Sequence, residues 1–318
     1  MTKIIDGMAL EVCARRLIGP EIVLIDLARP DGRDLPEFEP GAHIDVAITD
    51  GIVRQYSLCN DASERGRYQI AVLREANSRG GSATVHDAFV VGRQVTVGRP
   101  RNLFALSADS SHSILIGGGI GITPIIAMAE TLAVAGRSFE LHYCCRTRTD
   151  AAFADRVGEA GGRLHLSRET GRFDAAAVIG APRPGSHIYV CGPAGLMDAV
   201  YSAALAAGWS QDALHRELFM AMPTLDSRTD EAFEICLEST GPCFVVPPGV
   251  SVAAILAANG VDIPVSCEQG ICGTCLTRVI SGVPDHRDSY LTDAERERGD
   301  CFTPCCSRAL TPSLTIAL

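Results

Sequence analysis

Four cysteines stand where they could hold an inorganic cluster. Cys267-Glu-Gln-Gly-Ile-Cys272-Gly-Thr-Cys275 sets three thiols on one short loop as C-x4-C-x2-C, and Cys305 follows thirty positions later. Three thiolates on a loop with a distant fourth is the spacing of a plant-type [2Fe–2S] ferredoxin. Gly270 and Gly273 lie inside the loop. Lacking side chains, they let the backbone curl around a cluster and aim N–H groups at its sulfurs. The competing chemistry is zinc, because Cys272-x2-Cys275 with a later cysteine pair resembles a zinc ribbon. A ribbon carries two short CxxC knuckles, whereas the later pair here is the adjacent Cys305 and Cys306. Iron–sulfur is therefore the expectation. Spacing favours Cys305 over Cys306, since neighbouring strand residues face opposite ways.

Other segments could hold phosphates. Arg54-Gln-Tyr56-Ser57-Leu58 closes a strand-like run; Leu73 and Arg74 end another, ahead of Arg79-Gly80-Gly81-Ser82. Arginine offers a bidentate cation, the glycines and Ser82 offer N–H and hydroxyl donors, and Tyr56 can pack on a flat ring. Gly117-Gly118-Gly119-Ile-Gly121-Ile-Thr123-Pro124 follows one strand and opens a helix. Such a loop turns backbone N–H groups and a helix start toward a pyrophosphate. Pro124 replaces the third glycine and removes one donor, which leaves Thr123 to supply a hydroxyl. Cys191-Gly192-Pro193 is a second strand–turn–helix junction. At the ribose-selecting position Arg146 and Arg148 could welcome a 2′-phosphate and Asp150 a 2′-hydroxyl, so these residues leave NADH and NADPH both open.

The elements that must carry these groups fall into three stretches. Residues 21–27, 43–48 and 68–73 read as short strands bounded by turns, which predicts a barrel or sandwich. From about residue 112 apolar strands at 113–116, 139–144, 163–166 and 187–190 alternate with helical patterns, one running from about 194 to 207. That alternation predicts a parallel, doubly wound sheet. Residues 222–230 read as a linker. A hairpin at 233–237 and 244–246 and a helix at 252–259 precede the cysteine loop.

Composition excludes several classes. The 318 residues carry a net charge of -10, against the basic face that nucleic acid demands. The longest apolar run, residues 114–129, is broken by Gly117, Gly118, Gly119, Gly121 and Pro124. A membrane helix wants about 20 unbroken apolar residues. No secretory signal is visible at the N-terminus. A soluble, cytoplasmic chain is expected, its thirteen cysteines held as reduced thiols free to bind metal. Charge is uneven: residues 226–318 hold 13 acidic and 6 basic side chains, while residues 54–101 hold 8 arginines and 4 acids. An acidic tail domain could dock on a basic partner.

In order and over nearly the whole chain, these motifs resemble the phthalate dioxygenase reductase type, the class IA reductases of Rieske oxygenases. The resemblance implies a multi-domain fold: an antiparallel β-barrel flavin domain (residues 1–107), an α/β parallel-sheet nicotinamide domain (108–224) and an α+β, β-grasp plant-type ferredoxin domain (225–318). It implies FMN at Arg54, Tyr56, Ser57, Leu58, Leu73, Arg74, Gly80, Gly81 and Ser82. It implies NADH at Gly118, Gly119, Gly121, Thr123, Pro124, Arg146, Cys191, Gly192 and Pro193. Cys267, Cys272, Cys275 and Cys305 become the ligands of the [2Fe–2S] cluster. In a His215-x-Glu217-x-Phe219 segment the ring of Phe219 falls near the flavin, and Ser57, Cys191 and Phe219 are the catalytic candidates. A C-terminal ferredoxin points to FMN rather than FAD. The implied activity passes electrons from NADH to FMN, to the cluster, and on to the Rieske centre of a separate oxygenase, with the reductase a monomer. Two alternatives stay open: a haem monooxygenase as acceptor, and a zinc-stabilised binding protein without turnover.

Overall fold

In the computed structural model, residues 7–49, 52–76, 80–219, 230–238 and 241–318 are described. Arg79 and residues 222–229 of the expected linker lie outside them. The chain forms two units, one within residues 4–218 and one within 219–318.

The first unit begins with an antiparallel sheet. Its path runs through Ile52–Ser57, Ala42–Thr49, Gln94–Val97, Met8–Gly19, Ile22–Ala28 and Tyr68–Leu73, with Arg101–Asn102 paired to Ala42–Thr49. Leu58 bridges Ile70 across the two ends of that path. The sheet thereby closes into a barrel, the arrangement that removes exposed edges. Leu10, Val12, Ile25, Ile44, Val46, Ile70, Val72 and Phe89 fill the interior. Strand side chains alternate, so His43 and Asp45 project away from Ile44 and Val46. Their directly opposed partners are Ser57 and Gln55. The helix Gly81–Ala88 lies against this barrel with Val85 in its core.

A parallel sheet follows in the order Arg163–Leu166, Phe139–Cys145, His112–Gly118, Ser186–Cys191, Leu214–Glu217. Its two faces are both apolar, as a sheet covered on both sides requires. Leu115, Leu141, Tyr143 and Tyr189 pack with Ile122, Ile125 and Ile126 of the helix Ile122–Val134. Ile114, Ile116, Ile188 and Val190 pack on the other side with Met197 and Val200 of the helix Ala194–Ala206. Ile22, Leu24 and Ala71 from the barrel share the first of these clusters, so barrel and sheet bury apolar surface against each other.

In the second unit a mixed sheet runs Cys243–Val246, Phe233–Leu237, Ser313–Ile316, Thr277–Ser281, Cys301–Phe302. The helix Val252–Ala258 closes its core through Val252 and Leu256 against Ile235, Val246 and Leu314. This is the expected β-grasp layout. The expectation of reduced thiols fails at one pair. Cys236 and Cys243 are directly opposed in the hairpin, their Cα atoms 4.0 Å apart, and are bonded as a disulfide. Opposed strand positions carry their Cβ atoms to bridging distance. The spacing C-x6-C does not disclose that register.

Candidate functional site

The cysteine loop is built by backbone conformations that few residues tolerate. Glu268, Gly270 and Gly273 have φ of 55°, 71° and 67°. These left-handed positions fold the loop back on itself, and the N–H groups of Gln269 and Ile271 reach Cys267 Sγ, each at 3.4 Å. Cys267 lies within thiol hydrogen-bond reach of Cys272 and Cys305, and Cys305 within reach of Cys275. Four sulfurs from two distant segments thus converge, the donor set of a [2Fe–2S] centre. There is no room to spare beneath them. A Cβ on Gly270 would stand 2.4 Å from Cys306 Sγ, and one on Gly273 would stand 2.2 Å from the Tyr290 ring. The run from Asp285 to Asp288 braces the loop. Ser289 N–H donates to the Gly270 carbonyl at 2.9 Å. The buried Asp288 carboxylate accepts from the N–H groups of Tyr290 and Leu291 at 3.0 and 2.7 Å. Gly273→Ala should displace Tyr290 and strain the loop. Iron and acid-labile sulfide per chain should then fall while flavin content stays; full cluster occupancy in the variant would refute this.

On the barrel, Gly80 has φ 90° and starts the helix Gly81–Ala88. A Cβ on Gly81 would lie 3.0 Å from Arg54 Nε, so the guanidinium rests on the helix start. Cation and open N–H groups together make an anion cradle. Ser82 Oγ accepts from Glu75 N–H at 3.0 Å and ties the loop. Arg74 goes elsewhere: its guanidinium pairs with Asp87 at 2.8 Å on the surface. Tyr56 is half-buried against the barrel core, Leu58 is fully buried, and Leu73 packs at the edge of the cluster shared with the parallel sheet.

The two glycine loops at the carboxyl end of the sheet interlock. A Cβ on Gly118 would meet Leu196 at 2.5 Å and Pro193 at 2.9 Å; one on Gly121 would meet the Cys191 carbonyl oxygen at 2.5 Å. Gly192, with φ 156°, sits against Gly118. Gly119 alone has φ 55° and open space above it. Thr123 is buried, and its hydroxyl donates to the Ile120 carbonyl at 3.1 Å. That hydroxyl shapes the loop rather than facing outward. Pro124 is buried in the first turn of the helix. Asp150 caps its own turn, accepting from Thr147 N–H and Oγ1; Arg146, Arg148 and Asp150 are all exposed beyond the strand. Phe219 lies in the other unit and is 41% exposed.

Glu217 lies in the His215-x-Glu217-x-Phe219 segment, where the sequence alone assigns it no role. The strand Leu214–Glu217 pairs with Ser186–Cys191 so that Glu217 faces Cys191, and the hairpin of Ala42–Thr49 and Ile52–Ser57 covers it. Ser57 Oγ donates to Glu217 Oε2 at 3.4 Å. His43 Nδ1 stands 4.0 Å from Oε1. Burial pushes the carboxyl up to about 8, with the Ser57 hydrogen bond opposing. Burial likewise pushes the Cys191 thiol up, helped by Glu217, so it is a neutral thiol. The Glu217 shift has a sign. Below the carboxyl's ordinary range both folded and unfolded chains are protonated. As pH rises toward about 8 the unfolded carboxyl ionises while the buried one stays neutral, so stability falls. Glu217→Gln should flatten the decline of the melting temperature between about pH 5 and 8. Parallel profiles in both proteins would refute the assignment.

Comparison with known proteins agrees with this geometry. Residues 237–310 match the family model described as a 2Fe-2S iron-sulfur cluster binding domain, which disposes of zinc. A vanillate O-demethylase oxidoreductase from Pseudomonas sp. (strain HR199 / DSM 7063) is 45% identical over 313 residues, 96% of this chain and 98% of that protein. The solved structure of phthalate dioxygenase reductase, described as modular for electron transfer from pyridine nucleotides to [2Fe-2S], matches with TM-score 0.78 and 38% identity over 98% of both chains. An intact type IV self-sufficient cytochrome P450 monooxygenase matches with TM-score 0.84 and 39% identity over 98% of this chain, which spans 41% of that one.

Proposed function

Because this chain belongs to the phthalate dioxygenase reductase family, we propose that it is the NADH-dependent reductase component of a Rieske-type oxygenase or O-demethylase. The chain is an oxidoreductase that passes electrons from NADH through FMN to a [2Fe–2S] centre and on to an oxygenase partner. One observation carries the reading: a single chain holds four convergent thiols on a glycine-curled loop together with a nucleotide-type glycine pair beside a barrel anion cradle.

Placement supports the following residue roles. Arg54 with the start of the helix Gly81–Ala88 holds the FMN phosphate, and Tyr56, Ser57 and Leu58 line the barrel side of its ring. Gly118, Gly119, Gly121, Gly192 and Pro193 bring backbone close to the pyrophosphate of NADH, with Arg146 beyond the ribose. Cys191 and Ser57 flank the point where the two rings meet, and both lie beside Glu217. Cys267, Cys272, Cys275 and Cys305 ligate the cluster. Bound FMN supplies the exchange between a two-electron donor and a one-electron acceptor. The protein's part is to hold the rings at a fixed distance and angle and to exclude water. The modules divide at residues 107/108 and 224/225, the second boundary lying outside the described residues. The reductase acts as a monomer in the cytoplasm. Among the described residues no helix is long and apolar enough to cross a membrane.

Anaerobic titration with NADH tests this reading. The flavin band should bleach and a [2Fe–2S] signal should appear in the electron paramagnetic resonance spectrum; a colourless protein would end it. A second reading, the same electron path serving a haem monooxygenase, draws on the similarity to the P450 chain. Turnover with each class of acceptor separates the two.

The docking surface has its own test. Residues 226–318 hold 13 acidic against 6 basic side chains. If that charge meets a basic oxygenase patch, turnover with the partner should fall severalfold between about 50 and 500 mM salt while NADH–ferricyanide activity barely moves. Equal salt dependence would refute charge-guided docking.

A further inference from the structure

The barrel and the parallel sheet lie in one unit, and the apolar part of their shared surface comes from alternate positions on two barrel strands. Ile22 and Leu24 project from Ile22–Ala28, Leu73 and Ala71 from Tyr68–Leu73, and all four pack with Ile122, Ile125 and Ile126. Apolar contact is non-directional, so this surface sets how closely barrel and sheet approach but not their angle. The next positions in the same two rows are polar. Asp26 is directly opposed to Gln69, as Leu24 is to Ala71, and both polar side chains are buried.

Arg156, in the helix Ala154–Glu159 on the sheet side, reaches this polar rim. Its Nε and Nη2 donate to Glu130 Oε1 and Oε2, each at 2.7 Å. Nη2 also donates to the Cys59 carbonyl at 2.5 Å, and Nη1 to Gln69 Oε1 at 3.3 Å. Gln69 Nε2 donates in turn to Asp26 Oδ1 at 2.7 Å, and Arg67 holds Asp26 Oδ2 at 2.6 Å. A guanidinium only donates and a carboxylate only accepts, so the Gln69 amide between them has one orientation. The two sides of this clamp belong to the two binding segments. Cys59 directly follows Ser57 and Leu58 on the barrel. Glu130 stands in the helix Ile122–Val134, which the glycine loop opens. One planar guanidinium grips both, and a bidentate pair fixes angle as well as distance.

We propose that Arg156 is a positioning residue for hydride transfer, locking the nicotinamide sheet to the flavin barrel at the angle that brings the two rings together. Arg156 itself forms and breaks no bond in the reaction. The proposal rests on the reductase reading for the hydride, while the clamp is testable without turnover.

The test is Arg156→Met, which keeps the stem and removes the fork. Flavin and iron content should stay. Amide hydrogen exchange in peptides covering residues 59–73 should quicken by at least about tenfold, because local opening loses its clamp. Anaerobic rapid mixing with NADH should show a weaker charge-transfer absorbance before reduction. The limiting rate of flavin reduction should fall by about ten- to a hundredfold, with the half-saturating NADH concentration nearly unchanged. A purely structural role would lower the melting temperature and leave the limiting rate and the charge-transfer band intact. Arg156→Lys keeps the charge but not the fork, so it should recover little of the rate; it carries the same measurements if Arg156→Met does not fold. An unchanged limiting rate, a loss confined to NADH affinity, or full recovery in Arg156→Lys overturns the proposal. Absence of NADH-driven flavin bleaching in the unaltered protein would instead refute the reductase reading, and hydrogen exchange would still decide whether Arg156 clamps barrel to sheet.

Discussion

Cys305→Ser should yield a protein that still takes up flavin and is still bleached by NADH, yet holds little iron and no acid-labile sulfide. A serine hydroxyl is a poor substitute for a thiolate on a soft iron centre. Removing one of four ligands leaves three that share the loop from Cys267 to Cys275. The comparison that makes this decisive is Cys306→Ser. Its thiol lies within reach of Cys305, so proximity alone would nominate either. Direction separates them. Cys305 turns toward Cys267 and Cys275, whereas Cys306 Sγ sits 3.2 Å from Thr303 Oγ1 and beneath Gly270. Cys306→Ser should therefore keep its cluster and its reduced-state resonance spectrum. The free energy of a metal centre is also folding free energy for a small domain, so Cys305→Ser should lower the melting transition of the second unit. Iron, sulfide and resonance measurements on both variants check the prediction, and the reverse pattern would transfer the ligand role to Cys306.

What sequence could disclose depended on whether a residue's chemistry was local. The strands Arg163–Leu166 and Phe233–Leu237 have the bounds their apolar patterns indicate. Met8–Gly19 escaped because only its first half points into the core; Leu10 and Val12 are buried, while Ala14 onward is half-exposed or exposed and carries Arg15 and Arg16. Leu214–Glu217 escaped because it reads Leu-His-Arg-Glu, with one apolar residue in four. Its position at the end of the parallel sheet comes from pairing with Ser186–Cys191, a property of the neighbour.

The same distinction runs through the site. The cysteine loop is legible because its spacing, its glycines and its fold are one local fact. Glu217 is not, because a glutamate between Arg216 and Leu218 looks like a surface residue until the hairpin of a distant barrel closes over it. Nor is the run of hydrogen bonds from Arg101 through Asp45 and Gln55 to His43. Each member is ordinary alone, and the network exists only through the register that opposes His43 to Ser57 and Asp45 to Gln55. Arg74 and Thr123 are of types that suit phosphate binding, and sequence likewise does not disclose that Asp87 and the Ile120 carbonyl are their partners in this structure.

Gly121→Ala and Gly119→Ala should fail in different ways, although the two residues are neighbours in one loop and chemically identical. At Gly121 the added methyl would stand 2.5 Å from the Cys191 carbonyl oxygen and 2.6 Å from Gly192 N. Those are backbone atoms at the end of a buried strand, with no side chain to swing aside. The two loops would have to part, at a cost of roughly 1–3 kcal/mol or more from overpacking, and Cys191 would move with them. Gly121→Ala should therefore lower the melting temperature and reduce NADH-driven flavin reduction by at least about a hundredfold, the scale expected when a reacting geometry slips by about 1 Å. At Gly119 a methyl would meet nothing within 4 Å, and the only stability cost is holding alanine at φ 55°, about 1–2 kcal/mol. Yet that open space lies over the loop where backbone must approach the pyrophosphate. Gly119→Ala should accordingly fold, keep its flavin and cluster spectra, and show a raised KM for NADH with a smaller change in kcat. Melting curves with steady-state kinetics on both variants make the comparison. Equal KM for NADH in Gly119→Ala and the unaltered protein would mean that the coenzyme approaches from elsewhere and that the loop's glycines serve packing alone.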